Sequence, residues 1–262
     1  MAFDELKERS AAAWSSAPWE QAEHLIGDAH EQLVAAVDPK PGERWLDVGT
    51  GAGAVALRLA RLGADVTGID PAYGLIEAAR RRAADEGLEV AFDVGDAESL
   101  PYGDAAFDGV ASSMGMIFAP DHAAVAREAT RVLRPGGRLG FTAWRPDAAF
   151  FGLTRRYRPP LPEGAGDSDD WGREDYVERK LGRDFDLTIE EHTATFRWES
   201  GGAAWELMSR TVGPFKAGMA TLEPEQLAEF RREFVGLLDA HRPGGGDVEL
   251  PGGYLLVLGT RR

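Results

Sequence analysis

The stretch Arg44-Trp45-Leu46-Asp47-Val48-Gly49-Thr50-Gly51-Ala52-Gly53-Ala54 constrains the fold of this chain more than any other. An apolar run ends at Val48, and Gly49, Gly51 and Gly53 follow at alternate positions before an amphipathic segment opens at Ala54. A strand that turns through glycines into a helix is the first βα unit of a parallel sheet, because parallel neighbours need a helical crossover between them. Glycine suits this turn twice over: it adopts left-handed backbone at little cost, and it puts no Cβ in the way of an approaching ligand. Free N–H groups at the start of the helix favour polar or anionic ligand groups.

Taken alone, the loop reads either as a packing turn or as a ligand cradle. Residues 49–54 satisfy the G-x-G-x-x-A pattern of dinucleotide sites, and Asp70 lies where an NAD enzyme would hold a ribose hydroxyl. Asp47 argues against a dinucleotide, since an acid two residues before the first glycine repels a pyrophosphate and attracts a cationic amine. Val66-Thr67-Gly68-Ile69-Asp70 ends the second strand on an acid able to accept from two ribose hydroxyls. Val94-Gly95-Asp96-Ala97-Glu98 ends the third on an acid, a small residue and another acid. That trio offers a carboxylate to an adenine amino group and a backbone N–H to a ring nitrogen.

The surrounding texture repeats the same alternation. Strands are predicted at 44–48, 65–69, 90–94, 107–112 and 138–144, with helices at 54–62, 73–86 and 121–133 between them. Arg134-Pro135-Gly136-Gly137 marks a turn between the last of these helices and its strand. Before the sheet, residues 1–40 read as helices broken near Pro18 and Gly27. After Trp144 the rhythm weakens. Residues 158–170 read as an exposed, mobile loop with a solvated acidic run at Asp167 to Asp170, followed by helices at 174–181, 203–211 and 224–240 and strands at 187–198 and 253–259. The division expected is an N-terminal helical cap (1–40), a core (41–145), and a variable part (146–262) that supplies cap insertions and the last two strands.

Five segments in order, LDVGTGAG, VTGID, GDAESLP, FDGVASSMGMIFAPD and EATRVLRPGGRLGFTAW, resemble the class I S-adenosylmethionine-dependent methyltransferases. The likeness runs from about Trp45 to Trp144 and is nearest the small-molecule branch of the ubiquinone and menaquinone C-methyltransferases. It implies an α/β, Rossmann-like doubly wound sheet of seven strands with the last strand antiparallel beside the fifth, plus helical cap elements. It implies S-adenosylmethionine as cofactor and S-adenosylhomocysteine as product. Gly49, Gly51 and Gly53 would line the methionine moiety, Asp47 would approach its amino group, and Ser112 would close that end through its carbonyl. Asp70 would bind both ribose hydroxyls, Leu75 would pack on the adenine, and Asp96 with the Ala97 backbone would read the adenine edge. The plainer readings are a strand-end turn or helix cap for Asp70 and Asp96, helix core for Leu75, and simple packing for Ser112. Two rivals remain: a non-methylating cyclase or regulator on the same fold, and, more remotely, an NAD-dependent oxidoreductase.

Composition narrows the partners. Twenty-nine basic against 44 acidic residues give a net charge of −15, which disfavours nucleic acid as a partner. There is no apolar run of the roughly 18 residues a membrane span needs, and a cytoplasmic protein acting on a small-molecule substrate is expected, with oligomeric state open. With no cysteine and no metal-binding motif, no metal site is expected. The general base, if there is one, is unassigned. His122 opens a helix near the expected methyl position but reads as an exposed first-turn residue; His24 and His30 read as surface or capping residues. Trp14, Trp19, Phe118, Trp144, Phe150, Phe151, Tyr157, Trp205 and Phe215 either wall an apolar acceptor pocket or pack a core.

Overall fold

The computed structural model describes residues 3–146 and 149–262. Its centre is a seven-stranded sheet of order β3-β2-β1-β4-β5-β7-β6. The strands are β1 (Arg44–Val48), β2 (Asp65–Asp70), β3 (Val90–Val94), β4 (Phe107–Ser113), β5 (Leu133–Trp144), β6 (Phe185–Trp198) and β7 (Val248–Arg261). The first five run parallel, and β7 lies antiparallel between β5 and β6. The fold and the place of the antiparallel strand are those the resemblance implied.

Crossover helices α3 (Ala54–Arg61), α4 (Tyr73–Glu86) and α5 (His122–Val132) connect the parallel strands. Each has a local cause. Gly53, left-handed at φ 85°, opens α3, Gly87 at φ 65° ends α4, and Asp121 caps α5 by accepting from Ala124 N at 2.9 Å. Two N-terminal helices, α1 (Asp4–Ser15) and α2 (Gly27–Val37), are joined by short 3-10 turns at Trp19–Gln21 and Glu23–Ile26. The break at Pro18 is as expected, whereas Gly27 begins a helix rather than interrupting one. Helix α2 buries Leu33, Val34 and Val37 against β4 and β5.

Several boundaries differ from expectation. Strand β5 begins at Leu133, paired with Phe107, and resumes at Arg138, paired with Gly109. The predicted turn is therefore a bulge within the strand, because Pro135 has no N–H for the ladder and Gly136 turns at φ 72°. Strands β6 and β7 are longer than predicted and pair from Phe185↔Arg261 to Trp198↔Val248. Pro251 and Gly252, outside the strand predicted at 253–259, lie inside β7 beyond its last β5 partner at Tyr254, where Pro251 has no β5 neighbour and is tolerated.

After β5, helices α6 (Ala149–Arg156), α7 (Glu174–Leu181), α8 (Gly201–Thr211), α9 (Gly213–Met219) and α10 (Pro224–Asp239) complete the chain, with α6 and α9 absent from the sequence reading. They extend the apolar core over the antiparallel β6–β7 pair. Phe150, Phe196, Trp205, Phe215, Phe230 and Phe234 stack edge-on and tilted at centroid separations of 5.2–6.1 Å. The acidic run is not a solvated loop. Asp167 to Asp170 are half-buried and paired with Arg158, Arg155 and Arg173, and Ser168–Gly172 forms a 3-10 turn that fully buries Trp171.

Candidate functional site

The sheet reverses direction of construction between β1 and β4, and the carboxyl ends of β1 to β4 open a crevice there. The glycine turn is tied down by its neighbours: the N–H groups of Gly49 and Thr50 both donate to Ile69 O, at 2.8 and 3.0 Å. Gly49, Gly51 and Gly53 have φ of 66°, 56° and 85°, all left-handed. Two of them serve different ends. A Cβ on Gly49 would lie 2.7 Å from Gly115 Cα, so the turn after β4 crosses the loop at backbone contact. A Cβ on Gly51 would meet nothing nearer than Trp19 Cδ1 at 3.8 Å, so this backbone faces open space roofed by an indole.

Acids surround the loop. Asp47 is 1% exposed; its Oδ2 accepts from Thr50 Oγ1 at 2.6 Å and Ala56 N at 3.0 Å, while its buried Oδ1 has no partner. Burial, reinforced by the nearby charges of Asp70 and Glu23, pushes its carboxyl up to about 7. Asp70 ends β2 and accepts from Ala72 N at 2.8 Å and Gly51 N at 2.9 Å, clamping the glycine turn to the start of α4; burial raises it to about 6. The turn role is thus realised, and each oxygen keeps a lone pair for a further donor. Glu23, nearly buried, accepts from Arg82, which also donates to Ala52 O at 2.7 Å and so holds the loop from outside.

The ends of β2 and β3 converge: Gly95 N donates to Asp70 O at 3.1 Å, linking the two strand ends. Asp96 accepts from Glu98 N at 2.9 Å and from Lys7 Nζ at 2.8 Å. Lys7 also reaches Glu98 Oε2 at 2.8 Å, and the opposite oxygen of Glu98 accepts from Asp121 N at 2.7 Å. Ala97 is half-buried. Leu75, 4% exposed in the first turn of α4, is buried outside the sheet core. Ser112 is fully buried, and its hydroxyl donates to Val48 O at 2.6 Å and accepts from Met116 N at 2.8 Å, stapling the end of β1 to the turn after β4. That turn contains Met114 at φ 50°, a left-handed non-glycine held by Thr142.

The histidines are not arranged as expected. His122 is 3% exposed, not a solvated first-turn residue: its Nδ1 meets Tyr176 Oη at 2.7 Å, its ring packs on Trp171, and its Nε2 is unpartnered. Burial drives it down to about 4. His30 is also buried, on the inward face of α2, and burial pushes it to about 3, whereas His24 is exposed. The aromatics divide. Trp14, Trp19 and Phe118 form a chain beside the loop, with centroids 5.6 and 5.9 Å apart, while Phe150, Trp205 and Phe215 pack in the core over β6 and β7. The sequence reading missed Lys7, Glu23 and Arg82. No spacing signals them, because each acts on a residue 30 to 91 positions away. Among the described residues no group of three or more His, Asp or Glu is placed to hold a metal ion, and no helix is long and apolar enough to cross a membrane.

Known proteins resemble this chain in sequence and in fold. Residues 46–141 match the family described as "Methyltransferase domain". An uncharacterized protein of Mycobacterium tuberculosis is 41% identical over 165 residues, 62% of this chain and 60% of its own length. The methyltransferase GfsG of Streptomyces halstedii is 48% identical over 112 residues, 42% of this chain and 40% of its own. A demethylmenaquinone methyltransferase of Beutenbergia cavernae is 34% identical over 152 residues, 56% of this chain and 61% of its own. The chain therefore spans about 60% or less of the length of these relatives. Two solved structures share the fold. The YcgJ protein of Bacillus subtilis has a TM-score of 0.60 at 20% identity, covering 92% of this chain and 99% of that one. The [4+2]-cyclase SpnF has 0.58 at 23%, covering 94% and 84%.

Proposed function

Because residues 46–141 form a methyltransferase domain of the S-adenosylmethionine-dependent class I fold, we propose that this chain transfers a methyl group from S-adenosylmethionine to a small organic acceptor, on O, N or C. The observation that carries the reading is the unpartnered, fully buried Oδ1 of Asp47 beside a glycine turn ringed by Asp70 and Glu23. A pyrophosphate would meet Asp47 and Asp70 there, since Glu23 is paired with Arg82. A cationic amino acid moiety would relieve them, which favours a sulfonium cofactor over a dinucleotide.

The residues fit such a cofactor. Gly51 leaves backbone open to the methionine part, Asp47 faces its ammonium, Asp70 has lone pairs for the ribose, and Asp96 with Ala97 N serves the adenine edge. When bound, S-adenosylmethionine supplies an electrophilic methyl group for in-line displacement by the acceptor. The chain's own work is to bind, orient and exclude water. Asp47 and Asp70 neutralise and fix the cofactor, Trp19 roofs the glycine turn, and Trp14 with Phe118 gives the mouth an apolar, aromatic wall suited to an uncharged acceptor. The N-terminal segment and the insertions within residues 146–262, whose β6 and β7 complete the sheet, form the acceptor cap in this reading.

The test is calorimetric titration with S-adenosylmethionine, S-adenosylhomocysteine and NAD, followed by an acceptor screen read as S-adenosylhomocysteine formed. One-site binding of the first two and none of NAD is expected. Binding of NAD alone overturns the reading, and cofactor binding with no product from any acceptor favours a non-methylating protein on this fold.

A further inference from the structure

Helix α1 lies across the crevice yet contributes no buried residue to the core. It packs along α4 and α9 with half-buried side chains, and a few polar and aromatic contacts fix its position. Lys7 reaches Asp96 Oδ2 and Glu98 Oε2, both at 2.8 Å, at the end of β3. Trp14 packs edge-on against Trp19, the indole above Gly51. Ser15 lies against the start of α4, where Gly74 N donates to its hydroxyl at 3.3 Å, and Lys216 of α9 donates to Ser16 O at 3.1 Å. A helix attached in this way opens at lower cost than the sheet beneath it, because none of its side chains is fully buried.

The acids that Lys7 engages are the ones at the adenine end. Asp96 receives Glu98 N on one oxygen and the Lys7 ammonium on the other; Glu98 ties the same ammonium to the first turn of α5 through Asp121 N. Lys7 is 15% exposed and Glu98 4%, so the contact is shielded from solvent and salt more than an ordinary surface pair. We propose that α1 is a lid over the cofactor and that Lys7 is its latch, the carboxylate of Asp96 serving both the lid and the adenine amino group. The proposal rests on the cofactor reading above. Entry and release then require α1 to lift and both Lys7 contacts to break together. With the lid shut, the adenine amino group takes a remaining lone pair of Asp96 and holds that acid in place for Lys7, so cofactor and lid stabilise each other.

The experiment compares Lys7→Met and Lys7→Arg in the full chain. Amide hydrogen exchange of residues 3–16 is measured without and with S-adenosylhomocysteine, and binding and release are followed by tryptophan fluorescence. In the wild type, residues 3–16 are expected to be protected, and more so with ligand. Lys7→Met is expected to lose that protection without ligand and to speed both association and release by about tenfold, leaving Kd less changed than either rate. Lys7→Arg restores the slow rates. A purely structural role for Lys7 would raise exchange across the whole chain and leave association unchanged, which overturns the latch, as do unaltered exchange and rates in Lys7→Met. If the wild type binds no S-adenosylhomocysteine while Lys7→Met still frees residues 3–16, the cofactor reading falls and the coupling with it, and only the docking of α1 by Lys7 stands.

Discussion

Thr50 donates its hydroxyl to Asp47 Oδ2 at 2.6 Å, and the other oxygen of that carboxylate is buried with no donor. The glycine turn thus satisfies half of the acid that precedes it and leaves the other half for a ligand. Since burial raises Asp47 to about 7 while a cationic amine favours the ionised form, ligand affinity depends on pH. Affinity for S-adenosylhomocysteine is expected to rise with pH up to about 7, by up to about tenfold per unit below it. Asp47→Asn is expected to bind weakly with a flat profile over the same range. Calorimetry across pH checks this; a flat wild-type profile would remove Asp47 from the site.

Asp70 accepts two buried backbone N–H groups, one from the glycine turn and one from the start of α4. Asp70→Ala strands both donors, and a loss of roughly 2–4 kcal/mol in stability is expected along with the loss of ligand. Asp70→Asn keeps an acceptor for one of them and is expected to lose less stability while its Kd weakens at least about tenfold. Denaturant melts beside titrations separate the two effects. Equal stability loss in both variants would mean that the turn does not depend on the side chain.

The glycines are not equivalent, and alanine at each position distinguishes packing from ligand access. Gly49→Ala puts a Cβ 2.7 Å from Gly115 Cα in left-handed backbone, so about 2–4 kcal/mol of stability is expected to go. Gly51→Ala meets only Trp19 at 3.8 Å and is expected to cost about 1 kcal/mol, its main effect falling on affinity. Thermal melts and titrations of the pair give the answer. Similar melting temperatures for the two would contradict the crossing of the β4 turn over Gly49.

His122 is buried neutral against Tyr176 and Trp171, and burial lowers it from 6.5 to about 4. The unfolded chain therefore takes up this proton first. The contribution of His122 is fully present above 6.5 and is lost as pH falls through about 4. Wild-type stability is expected to drop by roughly 1–3 kcal/mol more than that of His122→Gln between these limits. Melts at a series of pH values measure the difference, and parallel curves would place the charge of His122 in solvent when protonated.

The parallel strands, their crossovers and the glycine turn are legible in the chain before any folding is known. These follow from local rules: apolar runs set strands, glycine sets left-handed turns, and Asp121 and Gly87 mark helix ends through contacts within four residues. Asp47 and Asp70 within the last two residues of β1 and β2, and Asp96 two residues past β3, are legible in the same way, from chain position alone. What those acids touch depends on long-range packing. The Lys7 ammonium on Asp96 joins residues 89 apart, Arg82 grips Ala52 O across 30, and Tyr254 pairs with Gln32 across 222. No periodicity encodes such contacts. The same physics hid the strand role of Pro251, which depends on β5 ending at Trp144, and the burial of His122 and of the acids at Asp167 to Asp170, which depends on Trp171 folding back over α5. Local sequence fixes the conformations a segment can adopt, and the packing of distant segments fixes which of its polar groups are shielded, paired or left open to a ligand.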